Sequence, residues 1–207
     1  MIPEDDVDVL GRTAARYVLQ GKARSISEAI AITGGDPRLS HARVRKHLKL
    51  LEESIVGDHG ARQIRGELLD VAITSMDAID GYFDRFPDRF PEARETRLVG
   101  RPSEGHLEGE VIFRLRVFAD IGVPELVEVL EQLEAEDPVY APFSAKGVGQ
   151  LDQLRTRIEG ISMIFTICPP NRVPEEAGNL STGERMHSAK HKSVTRENAL
   201  GDVQKCD

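Results

Sequence analysis

Several features that would point to a function quickly are missing from this sequence of 207 residues. It has no apolar run of the roughly 18 residues that a membrane-crossing helix needs. Its opening Met1-Ile2-Pro3-Glu4-Asp5-Asp6 has neither the basic stretch nor the apolar stretch of a secretory signal. The expectation is a cytoplasmic protein with no membrane contact. Its two cysteines, Cys168 and Cys206, are too few for a disulfide framework and lack a C-x-x-C spacing, which fits a reducing compartment. G-x-S-x-G, a Walker A sequence and G-x-G-x-x-G are all absent, which sets aside hydrolase, kinase and Rossmann readings. No internal repeat is visible.

The charge that is present is unevenly spread. The whole chain carries a net −8, with residues 1–10 at −4, residues 11–65 at +6, residues 66–140 at −11 and residues 141–207 at +1. A basic N-terminal stretch is therefore joined to a strongly acidic middle, and the two need not serve the same partner. With 40% hydrophobic residues, the chain can bury one sizeable core or two small ones.

Residues 1–90 read as an all-helical module. Val7, Leu10, Ala14, Tyr17 and Val18 recur at helical spacing and the pattern halts at Gly21. Ser25 or Ser27 can cap a second short helix, Gly34-Gly35-Asp36-Pro37 breaks the chain, and Ser40 caps a third helix with Val44, Leu48, Leu51 and Ile55 on one side. A fourth, longer helix carries Ile64, Leu68, Val71, Ala72, Met76, Ile79 and Phe83 and stops before Pro87. Residues 25–55 thus have a helix-turn-helix-like layout, although the link from Gly34 to Ser40 exceeds the usual turn of about three or four residues. A DNA-reading helix needs one apolar stripe for docking and an outer basic face for phosphates and base edges. Arg43, Arg45, Lys46 and Lys49 are the candidates for that face, so nucleic acid is a candidate partner of residues 40–55. A second apolar ridge on these helices equally suits a homo-oligomer contact.

From residue 91 to 170 the period changes. Residues 111–118 alternate, with Val111, Phe113, Leu115 and Val117 on one side of a strand. Pro124 suits the first turn of a helix containing Leu126, Val127, Leu130 and Leu133. Residues 155–168 read as a hairpin about Glu159-Gly160. The fold class is α+β: an N-terminal helical module, then a small mixed or antiparallel sheet with packed helices, with 171–207 as an irregular tail. Glu108 and Glu110 precede the strand at a spacing that lets paired carboxylates hold a divalent cation. They are the candidate catalytic and metal residues, with Mg²⁺ as the cofactor. His187 and His191, with Glu184 and Cys206, form a weaker metal-ligand pattern whose bland reading is a solvated basic tail.

The segments "ARYVLQGKARSISEAI", "RLVG" leading to "VIFRLRVFAD", "RTRIEGISMIFTICPPN" and "NLSTGERMHSA" resemble proteobacterial nucleotidyltransferase-like proteins. The resemblance implies an N-terminal helical region followed by a minimal nucleotidyltransferase-type core; in a core that binds a nucleotide and a divalent metal, Val99-Gly100 is the phosphate-approach turn and Arg101 or Arg116 would meet the phosphates. Gly100 is followed by Arg101 rather than Gly or Ser, and glutamates replace the usual aspartates, so transferase activity itself stays open. The alternative is a non-enzymatic helix-turn-helix-type DNA-binding or protein-interaction module.

Overall fold

The structure is a computed structural model that describes residues 6–104, 107, 111–175, 178–182 and 188–190. The chain divides into two compact units. One comprises residues 1–65 with 107–111, the other residues 66–106 with 112–207. The division falls inside a helix, so residues 66–85 belong with the sheet rather than with the helical module of residues 1–90.

The first unit is helical. Helix α1 (Asp6–Leu19) opens on Asp6 and Asp8, which complement its positive N-terminal end, and buries Val7, Gly11, Ala14 and Ala15. Helix α2 (Ile26–Ile32) is capped by Ser25, whose Oγ accepts from the Glu28 amide at 3.1 Å; of the two serines that could cap it, the earlier one does. Gly34 and Gly35 take the left-handed conformations, at φ 104° and 65°, that turn the chain out of α2. The Ser40 Oγ then accepts from the Arg43 amide at the start of α3 (His41–Arg85).

Helix α3 is two helices in one span. Gly57 has φ 75° and ψ 161°, a conformation essentially reserved for glycine, and it interrupts the helix. Residues 52 and 65 would lie ~20 Å apart on a straight helix, yet the Arg65 guanidinium is 3.5 Å from the Glu52 carboxylate, so the chain bends at Gly57. This break explains two departures from the sequence pattern. Ile55 and Ile64, expected on apolar stripes, are 66% and 47% exposed, because each stripe loses its backing beside the bend.

The core of this unit joins all three helices through Val7, Ala14, Ala15, Ala29, Leu39, Val44 and Leu48. Gly11 lets α1 approach α3 closely, since a Cβ there would lie 2.9 Å from Cδ2 of the buried His47 ring. Gly11→Ala should therefore lower stability by about 1 kcal/mol, overpacking outweighing alanine's better helix propensity. In a denaturation cycle the cost should largely vanish on a His47→Ala background; undiminished loss there would place the clash elsewhere.

The second unit is built on a six-stranded mixed sheet in the order β3-β6-β7-β2-β1-β8. Its strands are β1 (Arg94–Val99), β2 (Ile112–Phe118), β3 (Glu136–Tyr140), β6 (Gln153–Ile158), β7 (Ile161–Ile167) and β8 (Ser188–Lys190). The pairing of β2 with β7 is parallel and the others are antiparallel. A separate ribbon pairs β4 (Phe143–Ala145) with β5 (Gly149–Leu151). The β6–β7 hairpin turns at Glu159 and Gly160, both at positive φ as a type I′ turn requires. Helix α4 (Val123–Glu131) has Pro124 in its first turn, and Glu125 accepts from the Gly122 amide at 2.7 Å. The expected α+β class is what the chain adopts.

Alternation sorts the sheet into two faces. Leu98, Leu115, Phe165 and Leu154 share one register row, with Phe113 and Met163 on the next, and all are at most 1% exposed. Leu69, Ala72, Met76 and Ile79 of α3 and Leu126, Val129 and Leu130 of α4 are equally buried and supply the helical side of this unit. Residues after Pro170 do more than form an irregular tail. Val173 is fully buried with Phe118, Ala145, Leu151 and Cys168, with Leu180 packed against them. Arg172 donates to the Val148 and Gln150 carbonyls of the ribbon at 3.1 and 3.0 Å.

Asp80 of α3 accepts from the Thr96 amide at 2.9 Å, and burial pushes its carboxyl up from the usual range despite that hydrogen bond. A carboxyl raised in the fold contributes most to stability below its unfolded value near 3.8; this contribution falls as pH rises through the raised value. Asp80→Asn keeps the acceptor and removes the charge. Its thermal midpoint should exceed the parent's by a few degrees at pH 7, with the gap closing toward pH 4. A midpoint below the parent's at pH 7 would mean that the charge itself is stabilising.

Candidate functional site

The first half of α3 separates into faces as a docked DNA-reading helix requires. Val44 and Leu48 are fully buried, His47 is 8% exposed and Leu51 is half-buried. The opposite side presents His41, Ala42, Arg45, Lys46 and Lys49, of which Arg45 is half-buried and the others exposed. Positions 41, 45 and 49 with 42 and 46 form one continuous stripe on a 3.6-residue helix. Arg43 is not on it. It flanks the buried side, where its Nε lies 3.6 Å from Asp8 Oδ1 of α1, the same oxygen that lies 3.6 Å from His47 Nε2. Lys49 reaches Glu53 at 3.9 Å, an exposed i,i+4 pair of little energetic weight.

The supporting turn is well fixed. Asp36 accepts from the Arg38 amide at 2.9 Å and from its guanidinium, and these bonds hold the Asp36 carboxyl down at about 2. Ser27 of α2 and His41 of α3 are 3.2 Å apart. Leu50 and Val56, 53% and 44% exposed, lie with Ile55 on the same stretch of helix as the apolar ridge considered for self-association.

The residues expected to meet a nucleotide do not converge in the same way. Glu108 and Glu110, the expected catalytic and metal pair, lie outside the described residues, and β2 begins only at Ile112. His187, His191, Glu184 and Cys206 also lie outside them. Among the described residues no three His, Cys, Asp or Glu side chains assemble a metal site. Gly100 closes β1 at φ 81°, and its carbonyl accepts from the Ser103 amide and hydroxyl; Arg101 is exposed in the turn that follows. Arg116 is 2% exposed, donates to the Gly178 carbonyl, and sits opposite Arg97 rather than level with Gly100. Burial lowers its own pKa, and burial pushes the neighbouring Cys168 thiol up to about 12, which leaves that cysteine unreactive at neutral pH.

Arg114 is the side chain that sequence reasoning missed. It faces Val99, next to Gly100, and is exposed. The signal was available: Arg114-Leu115-Arg116 and Arg155-Thr156-Arg157 each place two arginines on one strand face. No helix among the described residues is long and apolar enough to cross a membrane. Compared with known proteins, the chain matches no protein-family model and no curated protein.

Proposed function

We propose that the N-terminal helical unit binds duplex DNA, laying the first half of α3 in the major groove. The observation that supports this is the outward stripe of His41, Ala42, Arg45, Lys46 and Lys49 on a helix whose other side is locked into the core by Val44 and Leu48. Cations on such a stripe meet phosphates, while the small Ala42 lets the helix come close to base edges. Helix α2 and the glycine turn hold α3 in place, as the first helix of a helix-turn-helix pair does. Residues 11–65 carry +6 but residues 1–10 of the same unit carry −4, so the attraction to DNA rests on the local basic stripe of α3 and not on the net charge of the unit.

The test is fluorescence anisotropy of a labelled mixed-sequence duplex with the full chain at low salt. Saturable binding that Lys46→Glu abolishes is the expected result. A parent and variant that bind equally, or a parent that does not bind, would remove α3 as a DNA-contacting element.

A further inference from the structure

The second unit carries an open, arginine-bearing sheet face. Register places Arg155 of β6, Ile164 of β7 and Arg114 of β2 in one row across the sheet, with Val139 of β3 at its edge. The next row holds Glu136, Arg157, Ser162 and Ile112. Arg155 and Arg157 stand ~6.7 Å apart along their strand, and Arg114 stands two strands from Arg155, ~9.6 Å away. All three are exposed. The Arg114 and Arg157 side chains have no hydrogen bond or ion pair among the described residues, and the Arg155 side chain spends only its Nε, on Gln153 Oε1 at 3.2 Å. The other arginines of this face are engaged within the fold: Arg97 with Glu175, and Arg116 with the Gly178 carbonyl.

Arg155 and Arg157 line a depression of about 470 Å³, within the size range of small-molecule sites, and Arg114 stands outside its lining. Ser162 and Ile164 form its half-buried floor, and Glu136 and Asp137 stand at one end. Those two carboxylates are set by a bulge in β3, where the register slips between Glu136 and Val139 and Asp137 is held at φ 41°. The Thr156 hydroxyl pins the bulge by donating to the Glu136 carbonyl at 2.6 Å. A non-glycine residue held in the left-handed region by a pinned bulge, at the rim of a depression, is the kind of strain that accompanies binding sites.

We propose that this face binds a phosphorylated sugar or polyol, with its phosphate on Arg155 and Arg157 and its hydroxyls on Glu136 and Asp137. Guanidiniums match a phosphate by paired N–H donors and stay charged throughout the physiological range. Carboxylates repel a second anionic group but accept hydrogen bonds from hydroxyls, and Glu136 is the cross-strand neighbour of Arg157, so the site favours a ligand that carries a single anionic group beside its hydroxyls. A nucleic-acid strand fits less well, because no residue lining the depression is aromatic and bases would have nothing to stack on. The inference is independent of DNA binding by the helical unit.

Calorimetric titration of the full chain with ribose 5-phosphate, glycerol 3-phosphate, inorganic phosphate, ribose and succinate tests it. At least one of the two phosphorylated compounds should bind tenfold or more tightly than inorganic phosphate or succinate, and ribose should not bind. Arg155→Gln with Arg157→Gln should weaken that binding at least tenfold with an unchanged thermal midpoint, and Glu136→Gln should weaken the sugar phosphate but not inorganic phosphate. The proposal is overturned if neither phosphorylated compound binds saturably, if succinate binds equally well, or if the arginine variant keeps the parent's affinity. It is also overturned if that variant instead loses binding to a single-stranded oligonucleotide.

Discussion

Phe165→Ala should destabilise the α+β unit by about 3–5 kcal/mol. Phe165 is fully buried on β7, an interior strand, and its register partners Leu115 and Leu154 are themselves at most 1% exposed. Removing the ring takes away its transfer free energy and leaves a cavity on the buried sheet face between Leu115 and Leu154, whose strands are held at fixed spacing by main-chain hydrogen bonds, so little collapse can fill it. Arg157→Ala, on the open face of the neighbouring strand, should change stability by no more than about 0.5 kcal/mol. Urea unfolding followed by circular dichroism distinguishes them. Native domains hold only about 5–15 kcal/mol in reserve, so the phenylalanine variant should show a much lower midpoint with an unchanged slope. A loss below about 1 kcal/mol would mean that this face of the sheet is not the close-packed one.

The same contrast between faces shows how far the sequence could be read. The β6–β7 hairpin is legible because "RTRIEGISMIFTI" alternates on both sides of a Glu-Gly turn, and helix α4 because Pro124 precedes an apolar period. The outer strands are not. Strand β1, Arg94–Val99, has a single apolar pair at its end, and β3 contains Pro138 and two acids, so each becomes a strand only through the partner beside it. Strand β8 lies far beyond the last apolar run of the sequence and pairs with β1 across many intervening positions. At the DNA-contacting candidate, the basic residues could be named but not divided. That Arg43 turns toward Asp8 depends on where α1 packs, which helical spacing within α3 does not contain. An arginine within one strand says nothing of its neighbours on the next, whereas the three-strand register gathers Arg114, Arg155 and Arg157 on one face.

Replacing Arg45, Lys46 and Lys49 together by glutamine should reduce both the affinity for a DNA duplex and its dependence on salt. Each phosphate neutralised by the protein adds about 0.9 to the slope of log K against log salt, so three fewer remove between two and three units of slope. Referred to 1 M salt, one such neutralisation is worth about 15-fold at 50 mM and about 4-fold at 200 mM by the same relation. The parent should therefore outbind the variant by on the order of 10³ at the lower salt and 10² at the higher. The narrowing gap is diagnostic, since a variant that had merely unfolded would bind poorly with no such graded dependence. Arg43→Gln separates position from charge: its guanidinium lies beside Asp8 in an exposed pair, so its removal should leave both the thermal midpoint and the salt slope of the folded protein nearly as they were. Equal slopes for parent and triple variant would mean that the outward stripe of α3 carries its charge for solubility alone. A drop in slope for Arg43→Gln as large as that for Lys46→Gln would move the interface to the side of α3 facing α1.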